Sequence, residues 1–133
     1  MLPSYPASTF PNHYTLATGL VPDHNGIINN TFWDVKRRRQ YSMGDPATRN
    51  NLDYYLGEPI WITAQKQGVK TGNVYWVGSD IAIKGGYPTY YREYAEKPRL
   101  TFEQRVDSTI ALLESRKRNV PVSLCFTLKS RMA

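Results

Sequence analysis

The segment Tyr5-Pro6-Ala7-Ser8-Thr9-Phe10-Pro11-Asn12-His13-Tyr14-Thr15 places a hydroxyl and an imidazole at a proline-marked helix start. A hydroxyl there lies where backbone N–H groups without intrahelical partners converge, an arrangement that suits phosphate. Taken alone, Thr9 reads first as an N-cap, the common use of a threonine at a helix start. It reads second as a nucleophile, which needs an activating neighbour or metal. His13 alone reads as a packed or exposed ring before it reads as a catalytic base. Two basic runs, Lys36-Arg37-Arg38-Arg39 and Arg116-Lys117-Arg118, read as a solvated loop and a solvated helix end.

Helices and strands must hold these groups. Thr9 to Thr18 predicts a helix, with Pro11 in the first turn, where a missing N–H is harmless, and Gly19 as its stop. Residues 20–57 follow neither a period of 2 nor of 3.6. Rich in Asn, Asp, Gly, Pro and Arg, they predict a long connection with one short strand at Gly26 to Ile28. Loops of that length are often functional. From Glu58, Pro59 suits a first helical position, Ile60, Trp61 and Ala64 share a side, and Gly68 closes the helix. Thr71 to Val77 predicts a strand, broken by Gly78-Ser79-Asp80, and Gly85 to Tyr94 a tyrosine-rich loop. A helix from Phe102 to Arg118 is the clearest element. Thr101 with Gln104 fits a capping box, and Phe102, Val106, Ile110 and Leu113 draw an apolar stripe toward a core. Pro121 to Leu128 alternates as a strand. Strand, helix, strand in that order predicts a right-handed βαβ crossover and a parallel sheet.

The composition of the 133 residues, 41% hydrophobic and 21% charged, is that of a globular chain and limits it to one domain. No stretch approaches the length of a membrane span, and the N-terminus has no signal-peptide pattern. The single cysteine, Cys125, excludes an internal disulfide and a cysteine-based zinc site, and its apolar surroundings in sequence predict a buried thiol. A net charge of +6 favours anionic partners. Because a core strand is followed by only five residues, the expected fold is α/β, an incomplete piece of a larger, mostly parallel domain with flanking helices.

The run from Tyr5 to Asn30 resembles the nucleophile region of the nucleotide pyrophosphatase/phosphodiesterase family, in the alkaline phosphatase superfamily. Gly57-Glu58-Pro59-Ile60-Trp61, Trp76-Val77-Gly78-Ser79-Asp80, and Pro88 with Tyr94 match in order. The resemblance implies an alkaline-phosphatase-like fold, with residues 1–133 forming part of one catalytic domain. It implies that Thr9 attacks phosphorus and ligates one of two zinc ions, and that the Asn30 amide donates to a phosphate oxygen. Phe10 and Tyr94 match aromatics that sandwich a nucleotide base, and Trp76 and Asp80 match the edge of the nucleotide pocket. Implied partners are a nucleotide or other phosphodiester, with no protein partner indicated; the family is extracellular, periplasmic or membrane-attached. Zinc would activate the hydroxyl as it does water, whose pKa it lowers from ~15.7 to ~7.

The sequence also departs from that pattern. The family's zinc pair takes three Asp and three His beside the threonine; here one Asp position would precede the chain and another falls on Ser130. Neither His13 nor His24 matches a ligand. Cys125 stands where members often carry a pocket tyrosine, and Thr31 where some carry lysine. The sequon Asn29-Asn30-Thr31 reads as chance, because a glycan there would crowd the phosphate. The expectation is a zinc phosphodiesterase fragment, inactive by itself. Two alternatives stand beside it: a basic nucleotide or single-stranded nucleic-acid binding module using Arg37 to Arg39 with Tyr90, Tyr91 and Tyr94, and a truncated product without function.

Overall fold

In a computed structural model of the chain, which describes residues 2–93, 95–115 and 124–127, helix α1 runs over Thr9–Thr18 as its sequence predicts. Ser8 is the extended N-cap residue, and Gly19 closes the helix at φ +70° by donating its N–H to the Thr15 carbonyl at 2.8 Å. Chain contacts divide the structure into two units, Met1–Pro59 and Ile60–Ala133.

In the first unit, the predicted long connection contains more structure than its pattern suggests. Helix α2 covers Pro22–Asn25. No strand forms at residues 26–28; Ile27 is instead a fully buried core residue whose N–H donates to Asn25 Oδ1 at 2.9 Å. The strands come later, as an antiparallel hairpin of β1 (Thr31–Asp34) and β2 (Arg39–Ser42). Asp34 holds its turn, accepting the Arg37 N–H at 3.0 Å and Nη1 at 2.8 Å. The Arg37 guanidinium keeps that carboxyl below the usual carboxylate range. Residues 36–39 are exposed, as predicted. Helix α3 (Pro46–Arg49), capped by the Asp45 side chain, and a 3₁₀ turn at Leu52–Tyr54 complete the unit.

Aromatic rings fill its core. Tyr14, Tyr41, Tyr54 and Tyr55 are buried. Phe32 stacks on Tyr41 at 4.8 Å, while Tyr41 meets Tyr54 and Tyr14 meets Tyr55 edge-on at 4.9 and 5.4 Å. Such pairs contribute about 0.5–1.5 kcal/mol each beyond area burial.

The second unit begins with α4 (Ile60–Lys66). Its inward face is Trp61 and Ile62; Ile60, expected on that side, is 43% exposed. Strand β3 spans Thr71–Val74 and stops three residues short of its predicted end, because Tyr75 takes a left-handed φ of +58° that no strand continues through. The tyrosine-rich segment, predicted as loop, supplies strand β4 (Tyr90–Arg92). With β5 (Leu124–Thr127) these form a sheet in the order β4-β3-β5, both pairs parallel. Helix α5 (Phe102–Glu114) starts in the predicted capping box: Thr101 Oγ1 accepts the Gln104 N–H and Gln104 Oε1 accepts the Thr101 N–H. It lies between β3 and β5 in sequence, so the predicted strand–helix–strand unit with parallel strands is present.

The helix faces another way than its pattern suggests. Phe102, Val106, Ile110 and Leu113 are 52%, 37%, 47% and 47% exposed, and no α5 residue is fully buried. Leu112 makes the approach to the sheet, its Cδ1 lying 3.0 Å from where a Cβ on Gly72 would sit. The predicted extension to Arg118, the ends of the 121–128 strand and the Cys125 side chain lie outside the described residues.

Two glycines test the first unit. Both are left-handed, but a Cβ on Gly19 would meet nothing within 4 Å, whereas one on Gly26 would lie 2.3 Å from the Tyr54 carbonyl oxygen. In urea unfolding, Gly19→Ala is expected to cost about 1 kcal/mol, from backbone conformation alone. Gly26→Ala is expected to cost about 3 kcal/mol or more, because a backbone carbonyl must also move. Equal costs would contradict the packing described here.

Candidate functional site

Thr9 is the first residue of α1 and is exposed. Ser8 occupies the N-cap position, so the reading of Thr9 as a cap is corrected; its hydroxyl makes no hydrogen bond among the described residues. His13, one turn on, does not reach that hydroxyl. Its Nδ1 lies 2.7 Å from the Thr9 carbonyl oxygen, which can only accept, so Nδ1 carries the proton.

The helix start offers fewer free N–H groups than a generic N-terminus. Pro11 has none, and the Asn12 N–H is bonded to Ser8 O at 3.3 Å. The Phe10 N–H is taken by Asn30 Oδ1 at 2.8 Å, a bond across twenty residues of sequence. Asn30 is half-buried, and its NH2 has no partner among the described residues. Anchored by its oxygen, the amide presents its nitrogen as a donor. This bond brings Asn30 against Phe10, the residue next to Thr9.

Phe10 is 1% exposed, so a base can stack on its ring only by displacing what now covers it. Asn29 is half-buried, and its Oδ1 accepts the Asn30 N–H at 2.8 Å.

Asn12 is a positioning residue that the sequence reading missed. Its Oδ1 accepts the Ser4 N–H at 2.7 Å, and its Nδ2 donates to the Pro6 and Ser8 carbonyls at 2.9 Å each. These bonds tie residues 4–8 to α1 ahead of Thr9. An asparagine three residues after Thr9 was the only sequence signal. Tyr14, fully buried below, donates its hydroxyl to the Leu56 carbonyl at 3.0 Å, and burial pushes the phenol well above its ordinary range.

In the second unit, Trp76 is 9% exposed and follows the left-handed Tyr75. Ser79, fully buried, donates both its N–H and its hydroxyl to the Trp76 carbonyl, at 3.1 and 2.8 Å. Asp80 ends this turn half-buried. Tyr94 lies outside the described residues. Of the tyrosines in the binding-module alternative, Tyr91 stacks on Tyr87 at 5.0 Å and Tyr90 accepts from Arg92 Nε at 3.2 Å.

A family described as type I phosphodiesterase / nucleotide pyrophosphatase matches residues 1–129. Ectonucleotide pyrophosphatase/phosphodiesterase family member 3 of Bos taurus is 40% identical over 119 residues, which are 90% of this chain and 13% of that protein. Venom phosphodiesterase 2 of Crotalus adamanteus is 40% identical over 117 residues, 88% of this chain and 14% of that one. Among solved structures, murine ectonucleotide pyrophosphatase/phosphodiesterase 5 superposes with a TM-score of 0.78 at 32% identity, covering 93% of this chain and 32% of that chain. An inactive threonine-to-alanine form of the same murine protein, in complex with AMP, matches equally. The chain therefore spans about an eighth of the length of these curated relatives.

The Asn30 anchor predicts a split between two substitutions. Asn30→Ala leaves the covered Phe10 N–H without an acceptor and is expected to destabilise the chain by about 1–3 kcal/mol in urea unfolding. Asn30→Asp keeps an acceptor, now charged and near a helix N-terminus, and is expected to fall within about 0.5 kcal/mol of the parent.

Proposed function

Because the chain belongs to the type I phosphodiesterase / nucleotide pyrophosphatase family, we propose that it supplies the nucleophile region of a catalytic domain hydrolysing phosphodiester or pyrophosphate bonds in nucleotides. One observation carries the reading. An exposed Thr9 hydroxyl with no hydrogen bond among the described residues adjoins Phe10, whose N–H holds the Asn30 amide with its NH2 open.

In the proposed reaction, Thr9 Oγ1 forms a bond to phosphorus while the bond from phosphorus to the leaving oxygen breaks. The hydroxyl proton leaves to solvent, and the leaving oxygen is protonated. Water then displaces the Thr9 oxygen, restoring the hydroxyl and releasing a phosphate monoester. The Asn30 NH2 donates to the phosphoryl oxygen on which charge gathers, an effect of about 3 kcal/mol where one such donor is deleted in other enzymes. Trp76, Asp80, Tyr94 and Phe10 are proposed as nucleotide contacts. The inactivity of the murine threonine-to-alanine form supports assigning the attack to a threonine.

The two zinc ions of the family would activate the hydroxyl and stabilise phosphoryl charge. The residues described here do not fit them: Thr9 is one oxygen donor, and no group of three or more His, Cys, Asp or Glu side chains among the described residues could hold a metal. We propose that the chain by itself turns over little or nothing.

Two assays test the reading. The purified chain with zinc and a chromogenic nucleotide ester is expected to match its Thr9→Ala variant; zinc-dependent turnover lost in that variant would refute inactivity. Grafted in place of the matching segment of the bovine relative, the chain is expected to hydrolyse the ester, and Thr9→Ala in that graft to lose at least about 10³-fold in kcat. A folded, active graft indifferent to Thr9 would overturn the nucleophile assignment.

A further inference from the structure

Tyr75 stands out in the second unit. It is neither glycine nor asparagine, yet its φ is +58°, a region that a bulky side chain occupies only when its surroundings impose it. The side chain is 4% exposed. Its hydroxyl donates to Glu96 Oε1 and accepts the Leu100 N–H at 2.9 Å. Arg92 Nη1 lies 3.3 and 3.4 Å from the two Glu96 oxygens. The Arg105 guanidinium lies over the Tyr75 ring, 5.0 Å from its centroid. One phenol oxygen thus ties both a side chain and a main-chain N–H of the segment after β4 to the residue that ends β3. A phenylalanine would pack equally well and make neither bond, so the hydroxyl has a role separate from filling the core.

Trp76, a proposed nucleotide contact, is the covalent neighbour of Tyr75. We infer that Tyr75 is a positioning residue whose hydroxyl fastens Glu96 and Leu100 to the end of β3, and so fixes the setting of Trp76, the proposed nucleotide contact that follows it. The inference rests on the nucleotide reading above and adds a residue that touches no substrate. Its effect is expected on binding of the nucleoside part, which Trp76 is proposed to contact, and not on binding of phosphate.

The test uses the full chain, its Tyr75→Phe variant, and Glu96→Ala as a second variant that leaves the Tyr75 side chain in place. Adenosine 5′-monophosphate and inorganic phosphate are titrated by calorimetry, and native-state trypsin cleavage after Arg92 and Arg99 is timed. Both variants are expected to be cut about five-fold faster and to bind the nucleotide about five-fold more weakly, as loss of one hydrogen bond implies, with phosphate binding unchanged. Nucleotide binding equal to the parent's, or cleavage no faster in both variants, overturns the role of Tyr75 and leaves the nucleotide reading standing. A parent chain that binds phosphate but no nucleotide overturns that reading instead.

Discussion

A helix that begins beneath covering side chains must find acceptors for its first N–H groups, and the start of α1 depends on how that demand is met. Pro11 contributes no N–H and Asn12 returns its own to Ser8 O. Phe10 is 1% exposed, so water cannot serve its N–H. The acceptor comes from Asn30, immediately ahead of β1. This one bond settles two questions: where the hairpin begins relative to α1, and which end of the Asn30 amide remains as a donor. The same contact that satisfies the backbone orients the group proposed to meet phosphate.

Side-chain amides do comparable work across the first unit, whose sheet among the described residues is a two-stranded hairpin. Asn12 ties down residues 4–8. Asn25, fully buried, donates to Thr15 Oγ1 and Leu20 O and accepts from the Ile27 N–H. Tyr55 donates to the Arg49 carbonyl at 2.7 Å and lies 3.2 Å from the Tyr41 hydroxyl. Each such bond adds only about 1 kcal/mol net, yet leaving its buried partner unmade costs more. An irregular backbone can therefore be held firmly by polar groups set among aromatic rings.

This explains what was legible in the sequence and what was not. Elements specified by local chemistry were readable: Pro11 and Gly19 bounding α1, Thr101 and Gln104 starting α5, the Leu124–Thr127 strand. The hairpin was hidden because four-residue strands carry too few periods to register, and Asp34 rather than an Asn-Gly turn closes it. Strand β4 was hidden because half-buried tyrosines on a parallel edge read as a polar loop. The length of β3 could not be read, since a left-handed Tyr75 is a consequence of its tertiary partners. At the site, the motif singled out Thr9, Phe10 and Asn30 in sequence, but the bond from Phe10 to Asn30, the burial of Phe10 and the bonds of Asn12 depend on folding around α1.

The orientation of α5 follows from the same tertiary control. Its richest apolar stripe would pack best against a broad, flat sheet face. What β3 presents instead is a notch at Gly72, with the Tyr75 ring at the strand's end. Leu112 enters the notch at a distance that any side chain at position 72 would obstruct. Arg105, two turns earlier on the same face, lies over the Tyr75 ring. On the helix so placed, Phe102, Val106, Ile110 and Leu113 face outward. A close fit at a small residue and a cation–π contact thus accompany the facing of α5, and Tyr75 takes part both in the end of β3 and in the contacts of the helix packed beside it.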